Sequence, residues 1–182
     1  MLFNIYMELL GEVIRRFRLT SQQYSDYTQL YLSFPTNPGE VVSVLNSCLD
    51  LIMDWMRVNK LKLSPDKTEV LLVGASLDRL EGHFPALNGV TLPLRDRVRS
   101  LGVLLDPSLT LEAQVDSVAS GAFLQLRKLY QLWPYLNEWS LMTVTHALVT
   151  SRIDYCNALY VGLPLKTVRR LQLVQNLSLI HI

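Results

Sequence analysis

Between residues 2 and 17, apolar side chains recur every three to four positions. Leu2, Ile5, Tyr6, Leu9, Leu10, Val13, Ile14 and Phe17 share one face, which predicts an amphipathic helix that begins without a capping residue. From Tyr24 the period falls to two. Leu30, Leu32 and Phe34 then share one side of a predicted strand, Tyr31 and Ser33 take the other, and residues 25–27 form the turn that enters it. The stretch "TNPGE" marks a second helix start: Asn37 can accept from free amides, Pro38 suits the first helical position, and Glu40 stands at the capping-box site. That helix is expected to run to about Val58, burying Val41, Leu45, Cys48, Ile52, Trp55 and Met56 and turning Asp50, Asp54 and Arg57 to solvent.

Beyond it, "KLKLSPDKTEVLLVG" reads as alternation at Leu61 and Leu63, a turn at Ser64-Pro65-Asp66 and a buried strand over 70–73. Asn88-Gly89 has the residues that a two-residue hairpin turn demands, and "SLGVLLD" reads as a further strand ending at Asp106. The pattern then becomes helical. Val115, Val118, Ala119, Ala122, Leu126, Leu129 and Trp133 line one face of a long helix that Pro134 must end or kink. Another helix is expected from about Asn137, carrying Leu141, Val144, Leu148, Tyr155 and Leu159. Pro164 opens a third, with Val168 and Leu171 inward and Lys166, Arg169 and Arg170 outward. The order of elements gives an α+β fold: a mixed segment over 1–106, then an all-helical segment over 107–176. There is no internal repeat and no low-complexity tract.

Composition narrows this picture modestly. At 182 residues and 49% hydrophobic content the chain can bury one or two cores. A net charge of +1 announces no global field for a polyanion, although a local basic groove remains compatible with it. Cys48, Cys156 and three histidines lack the spacing of a tetrahedral zinc site. Cys48 lies on an apolar stripe and is expected in the core as a reduced thiol, which points to an intracellular setting. The N-terminal stretch is interrupted by Asn4, Glu8 and Glu12 and has neither a basic n-region nor a cleavage site. No apolar run reaches the ~20 residues that a membrane span needs.

The chemistry concentrates at "QYSDYTQLYLSF", where Asp26 sits in a tight turn between extended segments. Taken alone it reads as an ordinary turn aspartate. A carboxylate on a rigid hairpin is also how nucleotide polymerases hold divalent metals ~3.5 to 4 Å apart for in-line displacement. The segment resembles the tyrosine, any residue, aspartate, aspartate signature of reverse transcriptases, in the form found in LINE-type (non-LTR) retrotransposons. The resemblance continues in the family's order. "LFNIYM" is similar to the segment after the family's Ser-Pro, "WMRVNKLKLSPDKTEVLLVG" to the next, lysine-bearing motif, and "RSLGVLLD" to the strand pair that grips the primer. "SRIDYCNALYVGLP" and "RRLQLVQN" are similar to the helical thumb side.

The resemblance implies a partial polymerase palm followed by a thumb-like helical region. In it Asp26 would be a catalytic metal ligand and Tyr27 would occupy the place of the second aspartate. A neutral phenol is a poor ligand for Mg2+ or Mn2+, the ions that the parent enzyme uses. Lys67 matches a lysine placed near the triphosphate, and reads equally as a solvated turn lysine. Leu101, Gly102 and Val103 would approach the primer end, with Gly102 allowing close backbone contact or marking a β-bulge. Arg127, Lys128, Arg169 and Arg170 are candidates for phosphate contacts along an RNA template and DNA primer, or are solvated surface cations. The family's first catalytic aspartate and its fingers lie N-terminal to "LFNIYM". The resemblance therefore implies a fragment of an RNA-directed DNA polymerase that is inactive by itself, from a decaying element.

A non-catalytic nucleic-acid-binding or interaction module on the same scaffold is the alternative. A reading frame without a stable product is another, since apolar surface awaiting absent partners favours aggregation. The likeness stops at Asn176. Residues 177–182, "LSLIHI", are expected to be a non-native tail, because their back-translation is similar to a transposase adapter used in sequencing libraries.

Overall fold

A computed structural model describes residues 2–33, 38–74, 80 and 82–180. Phe34, the expected cap Asn37 and residues 181–182 of the expected tail lie outside the described residues. The fold is α+β, with three two-stranded antiparallel sheets among the described residues. No helix among them is long and apolar enough to cross a membrane. The chain divides into two compact units, Met1–Asp96 and Arg97–Ile182.

In the first unit, helix α1 (Leu2–Arg15) and helix α2 (Pro38–Val58) form where the apolar periodicity places them, but in α1 Ile5 and Leu9 of the expected stripe are exposed and Met7, outside it, is buried. Between them in sequence lies the hairpin β1 (Thr20–Tyr24) and β2 (Tyr27–Tyr31). Met7, Leu10 and Ile14 of α1 bury against Leu19 and against Cys48 and Ile52 of α2. At roughly 1.5–3 kcal/mol for each large aliphatic side chain removed from water, this cluster is the unit's main source of stability. Cys48 is fully buried, as expected, and burial pushes its thiol up, away from reactivity.

Helix α2 has a second buried line that the sequence reading left out. Leu49 packs with Leu87 and Leu92, around the hairpin β3 (Ala86–Leu87) and β4 (Val90–Thr91). Asn88 and Gly89 close that hairpin with φ of +54° and +75°, the left-handed pair a two-residue turn of this kind requires. Asn46 Oδ1 of α2 accepts from the Ala86 amide at 2.9 Å and fixes the hairpin's start.

The strand expected over 70–73 does not form. Val70 makes one isolated parallel bridge to Leu94, and Val73 is exposed. An apolar run becomes a strand only where a neighbour completes its ladder, and no strand among the described residues pairs with 71–73. Leu61 and Leu63 likewise pack inward without entering a strand.

The second unit begins with the hairpin β5 (Val98–Ser100) and β6 (Val103–Leu105), where the periodicity gave a single strand over 100–106 and the resemblance implied a strand pair. Leu101 (φ +45°) and Gly102 (φ +84°) are its turn. The hairpin belongs with the helices: β6 packs on α3 (Glu112–Leu132), and Gln114 Oε1 of α3, itself buried, accepts from the Leu104 amide at 2.8 Å. Between them the Asp106 carboxylate gathers the amides of Ser108, Thr110 and Leu111 and the Thr110 hydroxyl, at 2.9–3.1 Å. These bonds hold a loop in which Leu109 and Leu111 both take left-handed φ, a strain of about 1–2 kcal/mol per residue.

Helix α3 ends at Leu132, and Trp133–Tyr135 makes one 3-10 turn around Pro134. Asn137 caps α4 (Glu138–Thr145), its side chain accepting from Ser140 N at 2.8 Å. A π-helical segment, His146–Thr150, then leads to the short α5 (Ser151–Asp154). This insertion shifts the buried face by one residue. Val149 is fully buried and Leu148 is exposed, and farther on Tyr160 is buried while Tyr155 and Leu159 are exposed. The expected inward set Leu148, Tyr155, Leu159 assumed an unbroken helix and fails for that reason. Helix α6 (Leu165–Ile180) lays Leu171 and Val174 against Val115, Ala119, Ala122 and Leu129 of α3. It runs through residues 177–180 of the expected tail.

The π-shifted register is tested by a pair of substitutions. Val149→Ala should cost about 2 kcal/mol in chemical denaturation, and Leu148→Ala under about 1 kcal/mol; equal costs would contradict the burial described. Asp106 gives a pH signature. Desolvation raises its pKa, but hydrogen bonds from the Thr110 and Leu111 amides, the Thr110 hydroxyl and the Ser108 amide outweigh this and lower it. Its stabilisation is therefore complete above the ordinary aspartate value of about 3.9 and is lost as pH falls through the lower folded value. Asp106→Ala should cost about 1–2 kcal/mol at pH 7, with the difference from the parent sequence vanishing in acid melts.

Candidate functional site

The β1–β2 hairpin pairs Thr20 with Tyr31, Gln22 with Gln29 and Tyr24 with Tyr27 on one face, and Ser21 with Leu30 and Gln23 with Thr28 on the other. Tyr24–Tyr27 pairing leaves a loop of two residues, Ser25 and Asp26. Ser25 takes the left-handed φ (+53°) that such loops need, and Asp26 stands exposed at the tip. The outward face carries Tyr24, Tyr27 and Tyr31, with Tyr31 Oη donating to Gln22 Oε1 at 3.1 Å. Behind the tip, Gln23 Nε2 and Thr28 Oγ1 are buried without a hydrogen-bond partner. Orphaned groups of this kind cost about 1–3 kcal/mol each. Nothing in the local sequence signals this cross-strand pair.

The donor set at the tip does not fit a two-metal centre. Asp26 is its one carboxylate, and Tyr27 is a phenol paired beside Tyr24. No group of three or more His, Cys, Asp or Glu side chains suited to a metal ion occurs among the described residues.

Lys67 closes a 3-10 turn, Pro65–Lys67, in which its amide donates to Ser64 O at 3.1 Å and the Thr68 hydroxyl to the same carbonyl at 3.0 Å. The turn is where the sequence put it and Lys67 is exposed. No ion pair joins it to Asp26 among the described residues.

Leu101, Gly102 and Val103 occupy the tip of β5–β6 and the first residue of its second strand. Gly102 is the second turn residue and not a bulge. Its near neighbour is Tyr155: a Cβ at Gly102 would stand 3.2 Å from Tyr155 Cε1, and Tyr155 Oη donates to Leu101 O at 2.5 Å. Arg99 Nη1 donates to Gly102 O at 3.1 Å. The tip is thus fixed by a residue 54 positions away in sequence, a contact with no local signal.

The basic candidates do not form one patch. Arg170 of α6 is ion-paired with Asp116 of α3. Arg127 lies eleven residues further along α3, about 16 Å at 1.5 Å per residue. Arg127, Lys128 and Arg169 are exposed, with no carboxylate partner among the described residues. Comparison with known proteins adds no relative: no family model, curated protein or solved structure matches the chain.

The tyrosine latch on β5–β6 gives a graded expectation. Tyr155→Phe should remove about 0.5–1.5 kcal/mol of stability. Gly102→Ala should cost more, because it adds left-handed strain to a ring contact that must give way. Thermal melts showing Gly102→Ala at or above parental stability would contradict this geometry.

Proposed function

We propose that the chain is the hairpin and helical portion of a LINE-type retrotransposon reverse transcriptase, whose parent carries out templated nucleotidyl transfer on an RNA template and a DNA primer. One observation carries the proposal: Asp26 stands exposed at a two-residue β-hairpin tip, followed at once by Tyr27 where a second carboxylate would be. On this reading 1–106 corresponds to part of a palm and 107–176 to a thumb, and Lys67 and the β5–β6 tip correspond to the family's triphosphate-side lysine and primer grip. With a single carboxylate at the turn the chain does not support the parent's chemistry.

The second reading, a non-catalytic nucleic-acid-binding module on the same scaffold, draws on charge. Residues 97–182 hold eight basic against five acidic residues, net +3, whereas residues 1–96 hold nine against eleven.

Primer extension on a homopolymer RNA template in Mg2+ or Mn2+ tests the proposal. The 182-residue chain is expected to extend nothing. Fused to the N-terminal half of an intact LINE-type enzyme, the Tyr27→Asp variant should exceed the Tyr27 form by at least ~10²-fold, the scale of losing a metal-site carboxylate. Templated synthesis by the chain alone, or fusions that do not differ, would overturn it.

A further inference from the structure

We propose that the corner between α5 and α6 docks on an anionic lipid surface, with Val161 and Leu165 entering the headgroup boundary and Lys166 and Arg169 meeting the negative headgroups. Val161 and Leu165 are the two most exposed large aliphatic side chains among the described residues, at 84% and 88%. They flank Gly162, Leu163 and Pro164 in the link between a 3-10 turn, Asn157–Tyr160, and α6. The link is pinned from inside: Tyr160 is buried, Leu163 packs on the same core cluster, and the Leu163 amide donates to Tyr160 O at 3.2 Å. Gly162 takes a left-handed φ of +86°, and a Cβ there would meet no atom of the described residues within 4 Å. A turn anchored at Tyr160 and Leu163 thus projects Val161 and Leu165 into solvent.

The cations are placed by the helix itself. Arg169 lies four residues beyond Leu165 and three beyond Lys166, separations that put Cβ atoms about 5–6 Å apart on one face of α6. Arg170 is ion-paired with Asp116, whereas Lys166 and Arg169 are exposed and have no carboxylate partner among the described residues. Residues 155–182 contain no Asp or Glu. The projecting aliphatic pair therefore has positive charge immediately behind it.

Isolated exposed aliphatic residues are ordinary, but two on a pinned projection backed by cations are complementary to a surface that is apolar inside and negative at its rim. A soluble polyanion would take the cations and leave Val161 and Leu165 in water. Protein interfaces are broad and deplete lysine at their centres, whereas a projecting turn is narrow. Lys and Arg stems lie along apolar material while their charges stay at the headgroups, which fits an aliphatic tip followed by cations. Docking of this kind needs no spanning helix, and it is reversible because it combines two modest contributions, apolar insertion and charge attraction.

Co-sedimentation of the whole chain with vesicles of phosphatidylcholine alone, and with about 30% phosphatidylserine added, is the test. The chain should pellet with the phosphatidylserine vesicles, come off as salt rises, and stay in solution with phosphatidylcholine alone. Val161→Ser and Leu165→Ser should each weaken binding at least ~fivefold. Lys166→Gln and Arg169→Gln should each weaken it about fivefold, the factor for one cation at an anionic surface. Lys62→Gln, which removes the same charge from the first unit, should leave binding unchanged. All five positions are exposed, so unchanged melting is expected and confirms that the variants are folded. Equal binding to both vesicle types, binding to neither, or aliphatic variants that bind like the parent sequence would overturn the inference. So would polyglutamate that binds as tightly as the vesicles at equal carboxylate concentration, the outcome for an acidic protein partner. Primer extension reports on the β1–β2 tip and vesicle binding on this corner, so either can fail with the other intact.

Discussion

Pairing of Tyr24 with Tyr27 leaves two residues to reverse the chain, and the candidate chemistry depends on that closure. A loop this short forces a left-handed φ on Ser25 and presents Asp26 at the tip with no room to fold back. The register also decides which side chains share a face. Because side chains alternate along a strand, Tyr27 must stand beside Tyr24, opposite to Gln23 and Thr28. A slip of one residue would bury the tyrosines against α1 and expose Leu30. The apolar contact of Leu30 and Leu32 with the α1–α2 core opposes such a slip.

The second unit meets a similar constraint by different means. Leu101, Leu109, Leu111 and Cys156 all hold left-handed φ without being glycine, each at a cost of about 1–2 kcal/mol. Three of them cluster between residues 101 and 111, where specific hydrogen bonds over-determine the backbone: Tyr155 Oη on Leu101 O, and the Asp106 carboxylate on the loop leading into α3. The hairpin tip is therefore held by the helical unit and not by its own two short strands, which alone would be marginal.

Elements whose signals are local were legible in the sequence. The stripe of α2, the Asn88-Gly89 turn, the stop at Pro134 and the helix start near Asn137 each depend on residues within a few positions of one another, and each formed where it was read. What escaped depends on distant partners. Residues 70–73 have strand composition but gain only one bridge, so composition misled there. The π segment at His146–Thr150 has no sequence mark, and it moved burial from Leu148 to Val149. Asp26 was legible at the hairpin tip because Tyr24, Ser25 and Asp26 carry the turn themselves. The Tyr155 contact to Gly102 was not, since nothing near either residue announces the other.

A tyrosine at position 27 suits this hairpin better than an aspartate would. It has high strand propensity and pairs in register with Tyr24 across the hairpin. An aspartate there would add a second like charge next to Asp26 with nothing among the described residues to balance it. Metal-binding turns carry that repulsion because the ion relieves it. On the proposed reading, exchanging the second carboxylate for a phenol removes the ligand and relaxes the turn in one step. The fold has no means of registering the loss, since each unit's stability resides in its buried clusters and the tip contributes to none of them. Hairpin geometry and catalytic competence are separable here for that physical reason.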